Sequence, residues 1–302
     1  MFCVTIPIIA QNLEFYNQVI RYGTDQDIAV AFENVLEDLG QETNADILAL
    51  FSENHSVEVY SSLARYITAV KLESAEPTLI DELYKTYADE DYKEIVVHAL
   101  GVLGSQSTME ELKNYYTNNK STKRIKKAII DAWGNIGDVA IESFLIEILT
   151  NKREDDELKA RAILALGQVK SVRSLELLVE VAKNKYENKY LRMYAVHSLG
   201  EIGGEAMIDT IGELLQDETH EVVEYAVKTI SEIDSTKSGE YLIQALRSDF
   251  DKVRYFAVIG LAEKKYTDAV DILTFKAEHD RNEKVRQEAR KALESMENEN
   301  NL

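Results

Sequence analysis

Apolar residues return along this chain in steps of three and four, the spacing of one helical face. The block that carries them then recurs. Copies are plain in 189–204 (KYLRMYAVHSLGEIGG), 156–170 (DELKARAILALGQVK) and 91–104 (DYKEIVVHALGVLG), and fainter in 220–234, 251–265 and 283–296. With the leading apolar residue as position zero, the series runs Ile28, Val59, Tyr92, Ile125, Leu158, Leu191, Val222, Val253 and Val285, at intervals of 31 to 33 residues. Four and eight residues on, most copies are apolar again, as in Leu191, Ala195 and Leu199. A period of about 32 residues holds two helices of roughly a dozen residues and two short turns.

Polar punctuation supports the same register. Three residues before position zero stand Asp25, Ser56, Asp89, Thr122, Asp155, Asn188, Thr219 and Asn282, each able to accept from the orphan amides of a first helical turn. Only Phe250 breaks this series, and Asp249 and Asp251 flank it. Twelve residues after zero come Gly40, Gly104, Gly137 and Gly203, where a left-handed glycine is expected to stop the helix. The expected organisation is an apolar segment over 1–11, a helical array of about nine antiparallel pairs over 12–297, and a frayed polar tail over 298–302. In the last copy Glu288 and Arg290 replace the apolar residues that earlier copies place at Tyr194 with Val196 and Phe256 with Val258, as the polar outer face of a terminal cap requires.

Composition narrows the class. Only Pro7 and Pro77 interrupt 302 residues, which favours an all-α chain. The net charge of −20 divides unevenly: −15 over 1–111, +6 over 112–130 and −11 over 131–302. Such acidity disfavours phosphate backbones, so nucleic acid is an unfavoured partner that only the 112–130 stretch supports. Cys3 stands alone, which rules out an internal disulfide or a thiolate metal cluster. No apolar run has the length to span a bilayer. The uncharged run Phe2 to Ala10 reads in two ways: the remnant of a signal peptide, implying export to the periplasm, or a cap on the first helix of a cytoplasmic protein.

A leading Val, Leu or Ile, then Arg or Lys, then Ala, Leu and often Gly is the signature of Leu191-Arg192…Ala195…Leu199-Gly200 and Leu158-Lys159…Ala162…Leu166-Gly167. This pattern resembles the HEAT-repeat family, especially its short form first named from phycobilin lyases, over nearly the whole chain. The resemblance implies an α-solenoid of the HEAT-like, ARM-type fold, wound as a right-handed superhelix, with the second helix of each pair on the concave face. Fold alone does not give function, since similar folds host scaffolds, adaptors, lyases and glycosylases.

Under that resemblance, positions two, six and ten after zero lie on the exposed side of the second helices. They read Lys127, Asp131, Asn135; Ala160, Leu164, Gln168; Met193, His197, Glu201; Glu224, Lys228, Glu232; and Tyr255, Ile259, Glu263. Met, Tyr, Leu and Ile among polar neighbours suit a groove for a peptide or helix; half-burial between helices is the structural alternative. The basic residues after position zero (Lys93, Lys126, Lys159, Arg192, Arg254 and Arg286) are expected to bridge neighbouring pairs rather than grip a ligand. Lys123 and Arg124 oppose the helix dipole in a first turn where other copies carry acids. With Lys127 they form either a binding patch or a counterweight to the acidic first third.

Chemistry is sparse. His98 and His197 share a repeat position three copies apart, too far to share a metal. The single His-Glu pair, His220-Glu221, falls short of the several that HEAT-type deoxyhypusine hydroxylases use. No phosphate loop or nucleophile triad is present. The expected function is a non-catalytic scaffold that binds a protein or peptide, as a monomer or within a hetero-complex, without a cofactor. The candidate contact residues are Lys123, Arg124, Lys127, Asp131, Leu164, Met193, His197, Lys228, Tyr255 and Ile259. The alternative is a lyase-like role of the phycobilin type.

Overall fold

The computed structural model describes residues 8–299 apart from 87, 119 and 120. Residues 1–7 of the apolar N-terminal run, Lys120 of the basic stretch, Cys3 and tail residues 300–302 therefore lie outside the described residues. Among those described, every regular element is helical. The chain divides into two compact units, Met1–Asp138 and Val139–Leu302.

In the first unit the helices are α1 (Ile8–Tyr22), α2 (Asp25–Phe32), α3 (Gln41–Leu50), α4 (Val57–Val70), α5 (Glu76–Leu83), α6 (Glu90–Leu103), α7 (Gln106–Thr117) and α8 (Lys123–Ile136). In the second they are α9 (Glu142–Thr150), α10 (Asp156–Gln168), α11 (Leu175–Lys183), α12 (Lys189–Gly203), α13 (Ile208–Glu213), α14 (His220–Glu232), α15 (Thr236–Ala245), α16 (Asp251–Glu263), α17 (Val270–His279) and α18 (Glu283–Glu299). Among the described residues these make nine consecutive pairs, the number that the period predicts. Within each unit the even-numbered helices pack in sequence, α2 through α8 and α10 through α18. The protein is an all-α solenoid.

The period is a burial pattern. All nine position-zero residues are buried, the most accessible being Leu158 at 3%. Four residues on, Phe32, Leu63, Val96 and Ile129 in the first unit, and five alanines from Ala162 to Ala289 in the second, are fully buried. Each large apolar side chain removed from water in this way stabilises by about 1.5–3 kcal/mol. Among the described residues, no helix is long and apolar enough to cross a membrane.

Caps follow the expectation closely. Ser56, Asp89, Thr122, Asp155 and Asn188 all accept from amides of the helices they open, and Asn282 accepts from the Lys284 amide at 2.9 Å. The first cap is Thr24 rather than Asp25, because Thr24 and Asp27 close a capping box. Asp25 then turns to the next repeat and accepts from the Ser56 amide at 2.6 Å. Thr219 opens α14 without a capping bond; its hydroxyl accepts from Arg192 at 3.3 Å.

The glycine stops need correction. Of the four predicted, only Gly137 ends a helix in the left-handed region, at φ 72°. Gly40 has φ 93° but precedes α3, because α2 ends early at Phe32. Gly104 caps α6 at φ 16°, outside that region. Gly203 closes α12 and passes the turn to Gly204 at φ 47°. Lysines take the same repeat position, twelve residues after zero, elsewhere: Lys71, Lys170 and Lys265 lie at φ 53°, 54° and 51°.

A seam of small residues sets how closely the second helices approach. The residue nine after zero meets the residue seven after zero in the next copy. A Cβ added to Gly101 would sit 2.9 Å from the Ala132 backbone. In the second unit Gly167 faces Ser198, Gly200 faces Thr229, and Ser231 faces Gly260. The Leu-Gly element of the repeat signature thus marks a close helix–helix approach, not a helix end.

Candidate functional site

In the first unit the basic stretch is structurally engaged. Arg124 donates from Nε to Glu94 at 2.8 Å and also pairs with Asp91, both on the preceding second helix. These carboxylates offset the cost of a cation in a first helical turn and raise the guanidinium pKa above its usual range. The Lys126 ammonium lies 4.9 Å from the Tyr116 ring centroid. Lys123, Lys127 and Asp131 also have interaction partners.

Of the six cations after position zero, Arg192 and Arg254 are clamps between repeats. Arg192 is buried at 2% exposure, donates to the Ala182 carbonyl at 3.0 Å and pairs with Asp217 ahead of the next second helix. Arg254 is buried at 3% and grips both Asp280 oxygens, at 2.8 and 2.9 Å. It also donates to the Ser248 and Asp249 carbonyls. Arg286 donates to the Asp280 carbonyl and pairs with Glu283. Lys93 lies 5.8 Å from the Tyr115 ring. Arg192, Arg254 and Lys93 thus reach the next repeat, Arg286 stays within its own, and Arg192 and Arg254 keep no exposed charge.

The second unit offers an open face on its second helices. Leu164, His197, Lys228, Tyr255 and Ile259 are all half-buried there. Met193 is buried at 8% exposure and packs among its neighbours, so it is withdrawn from the contact residues. In its place stands a row at position three: Tyr194 on α12, Tyr225 on α14 and Phe256 on α16, all half-buried. The rings of Tyr194 and Tyr225 meet edge to face at 6.3 Å. Lys228 crosses the row with its ammonium 4.0 Å from the Phe256 centroid and 5.4 Å from that of Tyr225, and pairs with Glu224 at 3.0 Å.

Two hollows open beside the row. One of about 310 Å³ is lined by Leu164, Tyr194, His197, Tyr225, Lys228, Thr229 and Glu232. The other, of about 690 Å³, includes Glu224, Lys252, Tyr255, Phe256 and Arg281. His197 has Glu201 at 3.9 Å from Nε2 and Glu232 at 4.0 Å from Nδ1. Burial first, then Tyr194 and Glu224, push the Tyr225 hydroxyl pKa up, so it is a neutral donor at physiological pH. The candidate residues thus fall into two groups: Lys123, Arg124, Lys127 and Asp131 on α8 of the first unit, the others on α10 to α16 of the second. The row at position three was visible in the sequence as an aromatic at one place in three successive copies, but there it reads as packing between helices.

Among the described residues, no group of three or more His, Cys, Asp or Glu side chains could hold a metal ion.

A solenoid of capped helix pairs joined by arginine clamps and a small-residue seam defines a HEAT-repeat protein. The chain belongs to the family described as spirochaete HEAT repeat protein, whose model matches residues 20–302. No curated protein matches it. Solved structures with a similar repeat architecture include human deoxyhypusine hydroxylase, 19% identical, covering 96% of this chain and 98% of that one, with a TM-score of 0.38. Another is the complex of CpcE and CpcF of phycocyanin lyase from Nostoc sp. PCC7120, at 13% identity, 87% and 98% coverage and a TM-score of 0.47. A Kap121p mutant is 13% identical, covers 95% of this chain and 37% of that one, and has a TM-score of 0.46.

Proposed function

We propose that this repeat scaffold is a non-catalytic adaptor that holds a protein or peptide partner on the second-helix face of its second unit. The observation that carries this reading is the half-buried set Leu164, Tyr194, Tyr225, Tyr255, Phe256 and Ile259, spread over four consecutive second helices, all but Ile259 lining the 310 Å³ or the 690 Å³ hollow. Aromatic anchors with partial exposure, set among charged residues, are the composition of binding hot spots.

The test is affinity capture from native extract with the wild-type chain and with a Leu164→Ser, Tyr255→Ser, Ile259→Ser variant of matched thermal midpoint. The expected result is a protein retained by the wild type and lost by the variant. A partner retained equally by both would move the site away from this face, and the absence of any retained protein would argue against an adaptor.

A further inference from the structure

We propose that the first unit carries a docking surface of its own, between α1 and the segment that follows α2, for a basic peptide segment with an apolar anchor. The inference goes beyond the adaptor reading, which concerns the other unit, and does not rest on it. It starts from a departure from the repeat. α2 has 8 residues, where the other second helices have 13 to 17. The segment thus released, 33–40, is pinned by side chains of the next pair. The Leu39 amide donates to the Tyr66 hydroxyl at 3.1 Å, and that hydroxyl donates to Asn44 Oδ1 at 2.6 Å. Asp38 accepts from the Gly40 amide at 2.9 Å and from Asn44 Nδ2 at 2.6 Å. So held, the segment leaves Leu36 78% exposed. Leu36 and Leu13, Tyr16, Val35 and Leu39 wall a hollow of about 330 Å³, which Glu37 and Asp38 also line. Beside it Phe15, 54% exposed, meets the Tyr16 ring edge to face at 5.3 Å, and Tyr16 lies 5.3 Å from the buried Phe32 ring. Large apolar side chains left exposed around a hollow on a pinned backbone form an anchor site.

Charge selects the occupant. Residues 13–46 carry eight acidic side chains and one basic, Arg21, a net −7. Among the described residues no lysine or arginine forms an ion pair with Glu14, Glu33, Glu37 or Asp38, and that includes Arg65 and Lys71, the cations of the next helix pair. On the second-unit face, by contrast, Lys170 and Lys228 stand against Glu201 and Glu224. A phosphate backbone or an anionic bilayer would be repelled from this part of the first unit. A second copy meeting it face to face would bring the same charge. An uncharged apolar segment would strip water from Glu37 and Asp38 without replacing their hydrogen bonds. A segment with lysine or arginine flanking a large apolar residue meets both needs: the anchor fills the hollow while the cations face the carboxylates.

A phage-displayed library of random twelve-residue peptides, selected on the immobilised full chain and counter-selected on its Leu36→Ser variant, tests this directly. Leu36 is exposed, so its replacement leaves the fold intact. The recovered peptides should carry net positive charge around one recurrent large apolar residue. A synthetic copy of the best binder should bind Leu36→Ser at least tenfold more weakly than the wild type. Toward the Glu33→Gln, Glu37→Gln variant it should lose about fivefold at about 0.05 M salt and less than twofold at about 0.5 M, where the charges are screened. The Tyr255→Ser, Ile259→Ser variant should bind it within twofold of the wild type, which separates this surface from the second-unit face. Recovered peptides that are neutral or acidic, or a library that yields none dependent on Leu36, overturn the inference. Self-association of the wild type in sedimentation velocity that Leu36→Ser abolishes also overturns it, and makes the surface an interface between copies.

Discussion

At the scale of single residues, the two buried arginines of the repeat signature, Arg192 and Arg254, are structural. Arg254 and Asp280 are both nearly inaccessible, with 4% and 2% of their side chains exposed. Replacing Arg254 with Met leaves a buried carboxylate with Lys276 at 3.2 Å and the Asn282 amide at 3.0 Å but without its guanidinium. Loss of one partner of a buried pair costs about 3–5 kcal/mol, and the remaining lysine puts the expectation near 3 kcal/mol. Urea denaturation followed in the second unit measures it. The pair also sets a pH dependence. Burial alone would raise the Asp280 carboxyl, but hydrogen bonds from Arg254, the Asn282 amide and Lys276 bring it down from 3.8 to about 2. A folded pKa below the unfolded one means that the unfolded chain takes up the proton first. The stabilisation is therefore complete above the unfolded value of 3.8 and lost as pH falls toward about 2. Across that window the wild type should lose stability more steeply than Arg254→Met. A separate residue-scale prediction concerns Lys71, exposed and left-handed at φ 53°. Relief of that conformation is worth about 1–2 kcal/mol, and the extra freedom that glycine gives the unfolded chain takes back about 0.4–1. Lys71→Gly should raise stability by about 0.5–1 kcal/mol in the first unit. Lys170→Gly should gain less, because the Lys170 ammonium also donates to the Glu201 carbonyl at 2.8 Å.

At the scale of helices, the small-residue seam governs stacking. A methyl group on Gly101 would meet the Cα of Ala132, which can yield only if α6 and α8 move apart. Overpacking of this kind costs about 1–3 kcal/mol. On Gly200 the methyl would meet Thr229 Cγ2, the end of a side chain. Gly101→Ala should therefore lower the denaturation midpoint clearly more than Gly200→Ala does. What the sequence made legible, and what it did not, divides along the same lines. Caps and position-zero residues could be read because both depend on neighbours within one helical turn. The stops could not, because the left-handed residue is imposed by the turn and tolerated by lysine as well as glycine. Nor could the role of the Leu-Gly pair, since its reason lies in the next repeat. Met193 and Tyr194 are adjacent and both apolar in character. Neighbours on a helix point in different directions, and here the first is buried while the second helps to line the hollow.

For the molecule as a whole, charge is the property that local packing does not explain. Residues 1–111 carry −15 and the stretch 112–130 carries +6. Arg124 reaches from that stretch to Asp91 and Glu94, so the cation that violates the helix-dipole rule is repaid by carboxylates of the preceding repeat. If the stretch is a counterweight, removing it should expose the self-repulsion of the acidic first unit. A Lys123→Gln, Arg124→Gln, Lys127→Gln variant should then melt earlier than the wild type at low ionic strength. The gap should narrow at about 0.5 M salt, where surface charges more than a few ångströms apart are screened. Thermal melts at the two salt concentrations measure both effects. A gap independent of salt would mean that the three side chains act through packing. On the adaptor proposal, the same variant should retain a partner held on the second-unit face within about twofold, because none of its three positions lies on α10 to α16. Loss of that partner at an unchanged thermal midpoint would count against the second-unit face and for a contact on the basic stretch of the first unit.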